Sequence, residues 1–272
     1  MSADSIPRAL SIAGSDSGGG AGIQADLKAF ARCGVHGMTA VTAVTAQNTQ
    51  TVTAVHQIPP DMIVEQVRVV AEDIGVDAVK IGMLGNAETI EAVVEALDLV
   101  RGVPVVLDPV MISETGARLL DEGAQHALGT LLLPRVTVVT PNLPEARALA
   151  VLGAAAADAE SLDAPDLARQ VHAVGPAIVV VTGGHREQAV DVYFDGHQLV
   201  EIGGERHPDG AAHGSGCTHS SALAAQLALG VEPLEAARAA KAIASEAVRD
   251  GLRSVGAGSG PVDVFGIGRD RH

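Results

Sequence analysis

"RALSIAGSDSGGGAGIQADLKAF", residues 8–30, decides how the rest of the chain is read. Residues 8–14 form a short apolar run ending in glycine, which predicts a buried strand. SDSGGGAG follows as a loop. Ile23, Leu27 and Phe30 then recur at i, i+4 and i+7, which predicts a helix ending near Gly34. The order strand, glycine-rich loop, helix is the opening unit of an α/β fold.

The same alternation continues downstream. Residues 38–47 (MTAVTAVTAQ) are β-branched and strand-like, and Pro59-Pro60-Asp61 starts a helix carrying Ile63, Val67, Val70 and Ile74 on one face. Further strands are expected at 76–82, 103–108, 135–140 and 177–184. Helices are expected at 88–100, about 121–131, after Asn142, near 165–174, at about 215–229 and at 233–250, and residues 153–165 read as loop. Asp195-Gly196 between two alternating runs signals a late antiparallel hairpin. Continuous apolar strands alternating with helices imply a three-layer αβα sandwich around a mostly parallel sheet. No linker divides the chain, so residues 1–272 read as one domain.

Composition narrows the function. The chain is 47% hydrophobic with no Trp, one Tyr and three Phe, so its core must be Ala, Val, Leu and Ile. A net charge of −15 argues against nucleic acid or an anionic membrane as partner. Two cysteines make no disulfide framework, and no apolar run reaches spanning length, so a cytoplasmic protein is expected.

Ligands of open α/β sheets bind beyond the carboxyl ends of the strands. The residues there are small and polar: Ser15 and Asp16, Gln47-Asn48, Gly82-Met83, Asp108, Asn142 and Glu145, and Gly183-Gly184-His185. The first glycine loop fits a relaxed dinucleotide pattern. That pattern requires an acid about 20 residues on, and none occurs between Asp26 and Asp61. No GxxxxGK[ST] occurs either. The remaining readings are a tight turn or a close approach of backbone to ligand.

His213-Gly-Ser-Gly-Cys217 precedes a helix. Consecutive amides in a glycine loop and a helix N-terminus suit a phosphate or phosphoryl group. The same field is expected to lower the pKa of the Cys217 thiol, making it a base or nucleophile. The bland alternative is a buried cysteine beside a glycine cap; Cys33 reads as core. His207, Asp209, His213, Cys217 and His219 fit no metal-binding spacing. Asp108 and the Asn142-x-x-Glu145 pair suit Mg²⁺ held with nucleotide phosphate, although Asn142 with Glu145 is also a capping-box pattern.

The segments GSDSGGGAGIQADLKAF, TAQNT, VKIGML, LDPVM, TPNLPEA, GGH and HGSGCTHSSALAA occur in this order. Together they resemble the hydroxymethylpyrimidine/phosphomethylpyrimidine kinases of thiamine biosynthesis, enzymes of the ribokinase-like fold, over residues 8–265. The resemblance implies ATP- and Mg²⁺-dependent phosphorylation of 4-amino-5-hydroxymethyl-2-methylpyrimidine and then of its monophosphate, by a homodimer. It implies that Gly14, Asp26, Gln47 and Met83 surround the pyrimidine. It places Asp108 and Glu145 at the metal and Asn142, Thr182, Arg186 and His213 by the nucleotide. Gly214, Ser215, Gly216 and Cys217 become anion hole and base. The sequence departs from the pattern at Thr182, where the family has lysine, at 209–212, and in the first glycine loop. Arg186 or a metal ion is the candidate replacement for the lost charge. A pyridoxal kinase, or a pyrimidine-binding protein without catalysis, are the alternative readings.

Overall fold

The protein's structure, a computed structural model, describes residues 5–112, 116, 119–153, 159–183, 189–208 and 210–269. Its centre is an eight-stranded sheet of β1 (Arg8–Ala13), β2 (His36–Val41), β5 (Ala78–Ile81), β6 (Val105–Leu107), β7 (Val138–Val139), β8 (Ile178–Val181), β9 (Asp191–Phe194) and β10 (Leu199–Ile202). The order across it is 2-1-5-6-7-8-9-10. Strands β2 to β8 in that order pair parallel; β9 runs antiparallel to β8, and β10 to β9. A second sheet holds only β3 (Ala43–Gln47) and β4 (Val52–Gln57), antiparallel.

Strand side chains alternate between two faces, and both faces are apolar. Leu10, Ile12, Val79, Ile81, Leu107 and Val139 join one core, with α2 (Pro60–Asp73), α3 (Ala87–Leu97), α4 (Glu122–Ala127), α5 (Leu143–Ala150) and α6 (Ala164–His172). Ala9, Ala78, Val106, Val138 and Val180 join the other, with α1 (Gly22–Arg32), α7 (Ser215–Ala228) and α8 (Pro233–Arg249). Helix α7 is covered on all sides, with Ala222, Leu223, Ala224 and Ala225 fully buried. Its alanines let α1 and α8 approach closely, which replaces the bulk that aromatic residues would give.

Three expectations change. The run 38–47 is not one strand: it breaks at Thr42, whose hydroxyl donates to Met83 O at 2.8 Å, and β3 leaves for the second sheet. Its partner β4 was not anticipated, because β4 is half-buried or exposed along its whole length and shows no alternation. The helix expected at 121–131 is α-helical only to Ala127 and then widens into a π turn, Leu128–Leu132. The Asp195-Gly196 hairpin is present and extends the main sheet at its edge, with Gly196 at φ +87°.

Candidate active site

Strand order reverses where β1 lies between β2 and β5, and such a reversal opens a crevice at the strands' carboxyl ends. The glycine loop after β1 fills it. Asp16, 1% exposed, organises that loop. Its Oδ1 accepts from Gly18 N at 2.8 Å, and its Oδ2 accepts from Gly20 N at 3.0 Å and Ala21 N at 2.8 Å. His213 Nε2 lies 3.1 Å from the same Oδ2. Burial opposes the charge, but His213 and the amides of Ala21 and Gly18 hold the Asp16 carboxyl below its usual range.

The second glycine loop docks on the first. Gly214 is left-handed at φ +83°, and a Cβ there would lie 1.7 Å from Gly20 O. Gly20 in turn has His213 against it, and Gly22 has Gly14 O. Gly216 differs: a Cβ would meet nothing nearer than Asp108 Oδ2, at 3.8 Å. Packing therefore does not demand glycine at 216; its smallness leaves room in front of Asp108. Helix α7 starts here without a side-chain cap. Ser215 N bonds to Ala212 O at 2.9 Å, which leaves the amides of Gly216 and Cys217 without an intrahelical partner.

Beneath this helix start lies a buried polar group. Lys80 Nζ bonds Asp26 Oδ1 at 2.9 Å, and both side chains are inaccessible. Ser11, in register with Lys80 across β1 and β5, donates to Asp26 Oδ2 at 2.5 Å, and Ser221 of α7 donates to Oδ1 at 2.7 Å. Burial opposes the Lys80 charge, yet Asp26 above all, with Cys217 and Asp108, raises its pKa. Ser220 Oγ lies 3.1 Å from Asp108 Oδ2 and ties it to the first turn of α7. Burial raises the Asp108 pKa, which Lys80 counters and Asp26 reinforces.

Cys217 departs from expectation. The residue is only partly covered, but its sulfur is desolvated enough to push the thiol up to about 12, with Lys80 opposing and Asp108 and Asp26 adding. Desolvation and two carboxylates outweigh the helix field, so the thiol is neutral at pH 7. Asp26 also sits differently from the expected contact with substrate. Both its oxygens are taken within the protein, so it supports the site from below.

On the substrate side, a Cβ at Gly14 would lie 2.3 Å from Met83 Cε, so Met83 covers the end of β1. Gln47 is half-buried; its backbone N and O both bond Ser17 Oγ, at 2.8 and 2.7 Å, and its Oε1 lies 3.3 Å from Thr45 Oγ1. On the other side, Asn142 and Glu145 form a full capping box at α5, with Glu145 N to Asn142 Oδ1 and Asn142 N to Glu145 Oε2 both at 2.9 Å. Burial and the Asp108 charge raise Glu145 to about 8. Asp108 and Glu145, whose ionisation the Asp108 charge opposes, offer oxygen donors only, and Glu145 already accepts from the amides of Asn142 and Met111. That suits Mg²⁺, which is commonly held by one or two carboxylates, water and phosphate. Among the described residues no cluster of three or more His, Cys, Asp or Glu forms a metal site.

Thr182 bridges Asn142, donating its amide to Pro141 O at 2.8 Å. Arg186 lies outside the described residues. Sequence reasoning overlooked Lys80, Asp16 as loop organiser, and a buried trio below Gly183. There Asp191 Oδ1 accepts from Gly183 N at 2.8 Å and Lys241 Nζ at 2.6 Å. His219 Nε2 lies 3.3 Å from Asp191 Oδ2, close but misaligned for a hydrogen bond. Lysines in strands or helices carry no local signal of this kind. A surface groove of about 510 Å³ between α2 and α3 shares no residue with this site. Its carboxylates Asp61, Glu65, Glu88, Glu91 and Glu95 would repel a nucleotide.

A mostly parallel sheet, two interlocked glycine loops and a helix N-terminus beside buried carboxylates define a ribokinase-like phosphotransferase. Comparison with known proteins gives the family. The sequence profile of phosphomethylpyrimidine kinase matches residues 16–263. A hydroxymethylpyrimidine/phosphomethylpyrimidine kinase of Rhizobium meliloti is 46% identical over 263 residues, covering 94% of this chain and 96% of that one. The thiamine biosynthesis bifunctional protein ThiED of Geobacter sulfurreducens is 44% identical over 256 residues, 93% of this chain and 51% of its own length. The Staphylococcus aureus pyridoxal kinase in complex with AMP-PCP and pyridoxal superimposes with a TM-score of 0.84 at 34% identity, covering 98% and 97% of the two chains. The chain belongs to the phosphomethylpyrimidine kinase family.

Proposed function

We propose that this chain transfers the γ-phosphoryl group of ATP to 4-amino-5-hydroxymethyl-2-methylpyrimidine and then to its monophosphate, a step of thiamine biosynthesis. The observation that carries the reading is the docking of Gly214 on Gly20, which sets the start of α7 in front of Asp108. Phosphoryl transfer asks mainly for positioning and charge neutralisation. The amides of Gly216 and Cys217, with Ser215 beside them, face the transferring group. Asp108 and Glu145 hold Mg²⁺, which neutralises phosphate charge when bound. Asn142, Thr182 and His213 border the nucleotide, Asn142 and His213 mainly by fixing the loops. Arg186 is the candidate for the charge that Thr182 lacks.

Gly14 and Met83 wall the pyrimidine, and Gln47 offers an amide matched to an aminopyrimidine edge. Cys217 stands next to the attacking hydroxyl as a neutral thiol, with Lys80 as the cation that favours a transient thiolate. A pair of free cysteines suits the reducing cytoplasm. The second sheet supports a homodimer: Val44 and Val55 are 49% and 45% exposed, and β4 is uncovered on both faces.

A coupled ADP-release assay with the pyrimidine alcohol, its phosphate and pyridoxal tests the reading. Turnover of both pyrimidines is expected. Preference for pyridoxal would favour the second reading, which the likeness to pyridoxal kinase supports. Tight pyrimidine binding without ADP release would mark a binding protein and overturn the proposal.

A further inference from the structure

Strand β3, which carries Gln47, is tied at its start to the loop after β1, where Ala43 O accepts from Ser15 N and Thr45 Oγ1 donates to Ser15 O. A two-stranded antiparallel pair is marginally stable alone, and β4 is covered on neither face. Yet the turn after Gln47 is well ordered: Asn48 Oδ1 accepts from Gln50 N at 2.9 Å and Thr51 N at 3.0 Å. A distant segment, residues 252–261, grips it. Gly258 N donates to Thr49 Oγ1 at 3.2 Å. A Cβ on Gly258 would lie 1.9 Å from Thr49 O, and one on Gly256, at φ +80°, 2.2 Å from Thr49 Oγ1. The base of the same segment pairs with the phosphoryl loop, His213 N to Gly260 O at 3.3 Å and Val262 N to His213 O at 3.0 Å. His213 contacts Asp16, and Ser17 next to it binds Gln47 on both backbone atoms. The contacts close a ring from Gln47 through both glycine loops, along 252–261, and back through Thr49.

We propose that Thr49 and Gly258 form a latch that positions Gln47 for the substrate by strapping the β3–β4 tip to the His213 loop. Thr49 and Gly258 are positioning residues; neither touches the reacting atoms. The glycines at 256 and 258 serve close approach to Thr49, since any side chain there pushes the strand pair outward. The role of Gln47 rests on the function proposed above, while the latch itself can be read without substrate.

Three full-length variants test it: Thr49→Val removes the acceptor, Gly258→Ala forces the contact apart, and Thr49→Ser keeps the hydroxyl. Amide hydrogen exchange over residues 47–51, without ligand, should quicken in Thr49→Val and Gly258→Ala and match wild type in Thr49→Ser. The KM for the pyrimidine alcohol should rise about tenfold in the first two, the scale of one hydrogen bond of ordinary strength, while the KM for ATP holds in both and the melting temperature holds in Thr49→Val. Unchanged exchange in Thr49→Val overturns the latch. So does quicker exchange with an unchanged pyrimidine KM, or an equal rise in both KM values. Quicker exchange in a chain whose wild type turns over no pyrimidine leaves the latch standing and overturns the proposed function alone.

Discussion

Cys217 does not keep the chemistry that its place at a helix start suggests. A thiol pushed up to about 12 carries almost no thiolate at neutral pH, so it offers little base strength before substrates bind. The alcohol substrate must still lose a proton, whereas the monophosphate already presents an anionic oxygen. Cys217→Ala should therefore slow phosphorylation of the alcohol more than that of the monophosphate. A loss near the lower end of the usual range for general-base help, about 10²-fold, is expected. Single-turnover rates for each substrate provide the measurement. Equal loss in both steps would assign the thiol to packing.

The two glycine loops act as one element, and their glycines are not equivalent. Gly214→Ala places a Cβ against Gly20 O in a left-handed conformation. It should lower kcat for both substrates and the melting temperature together. Gly216→Ala meets nothing within contact range except Asp108 Oδ2. It should leave the melting temperature near wild type while slowing both transfers, since it fills the space before the carboxylate. Asp16→Ala removes a buried charge acceptor from three amides and His213. A loss of about 1.5–3 kcal/mol in unfolding free energy is expected for even one such charged bond, measurable by urea denaturation. A loss under 1 kcal/mol would mean the loop holds itself.

At the scale of the molecule, charge is concentrated under α7. Lys80→Ala strands the fully buried Asp26 carboxylate; breaking a buried pair in this way typically costs about 3–5 kcal/mol. Calorimetry should show a correspondingly large fall in melting temperature, even though Lys80 touches no solvent. The pH dependence follows from Glu145. Its carboxyl ionises near 8 in the folded chain and near 4.5 when unexposed to these neighbours. Between those values the folded state holds the extra proton, so without a divalent cation stability should decline as pH rises through that window. Asp108 shifts in the same direction. Asp16 and Asp191, held low, lose their contribution only on acidification below the usual carboxylate range. Mg²⁺ favours the ionised carboxylates, so its stabilising effect should grow from pH 5 to pH 8. A Mg²⁺ shift of the melting temperature that is flat with pH would remove Glu145 from the metal site.

The sequence alone determined the order of the main-sheet strands and the helices, though not the break at Thr42 or β4, because apolar runs and 3.6-residue spacing are local and strong, as in residues 8–30. It also singled out the strand-end residues and the glycines at 214 and 216, which are the positions where small residues break an apolar pattern. It left Asn142 and Glu145 undecided between cap and metal region, and the structure shows the cap geometry in full. Only the tertiary structure decided the protonation of Cys217, since desolvation and the Asp108 and Asp26 charges come from elements far apart in the chain. The same holds for Lys80 with Asp26, for His213 with Asp16, and for Gly258 with Thr49, separated by 54, 197 and 209 residues. Such contacts join strands and loops through the folding of the sheet, and no spacing in the sequence records them.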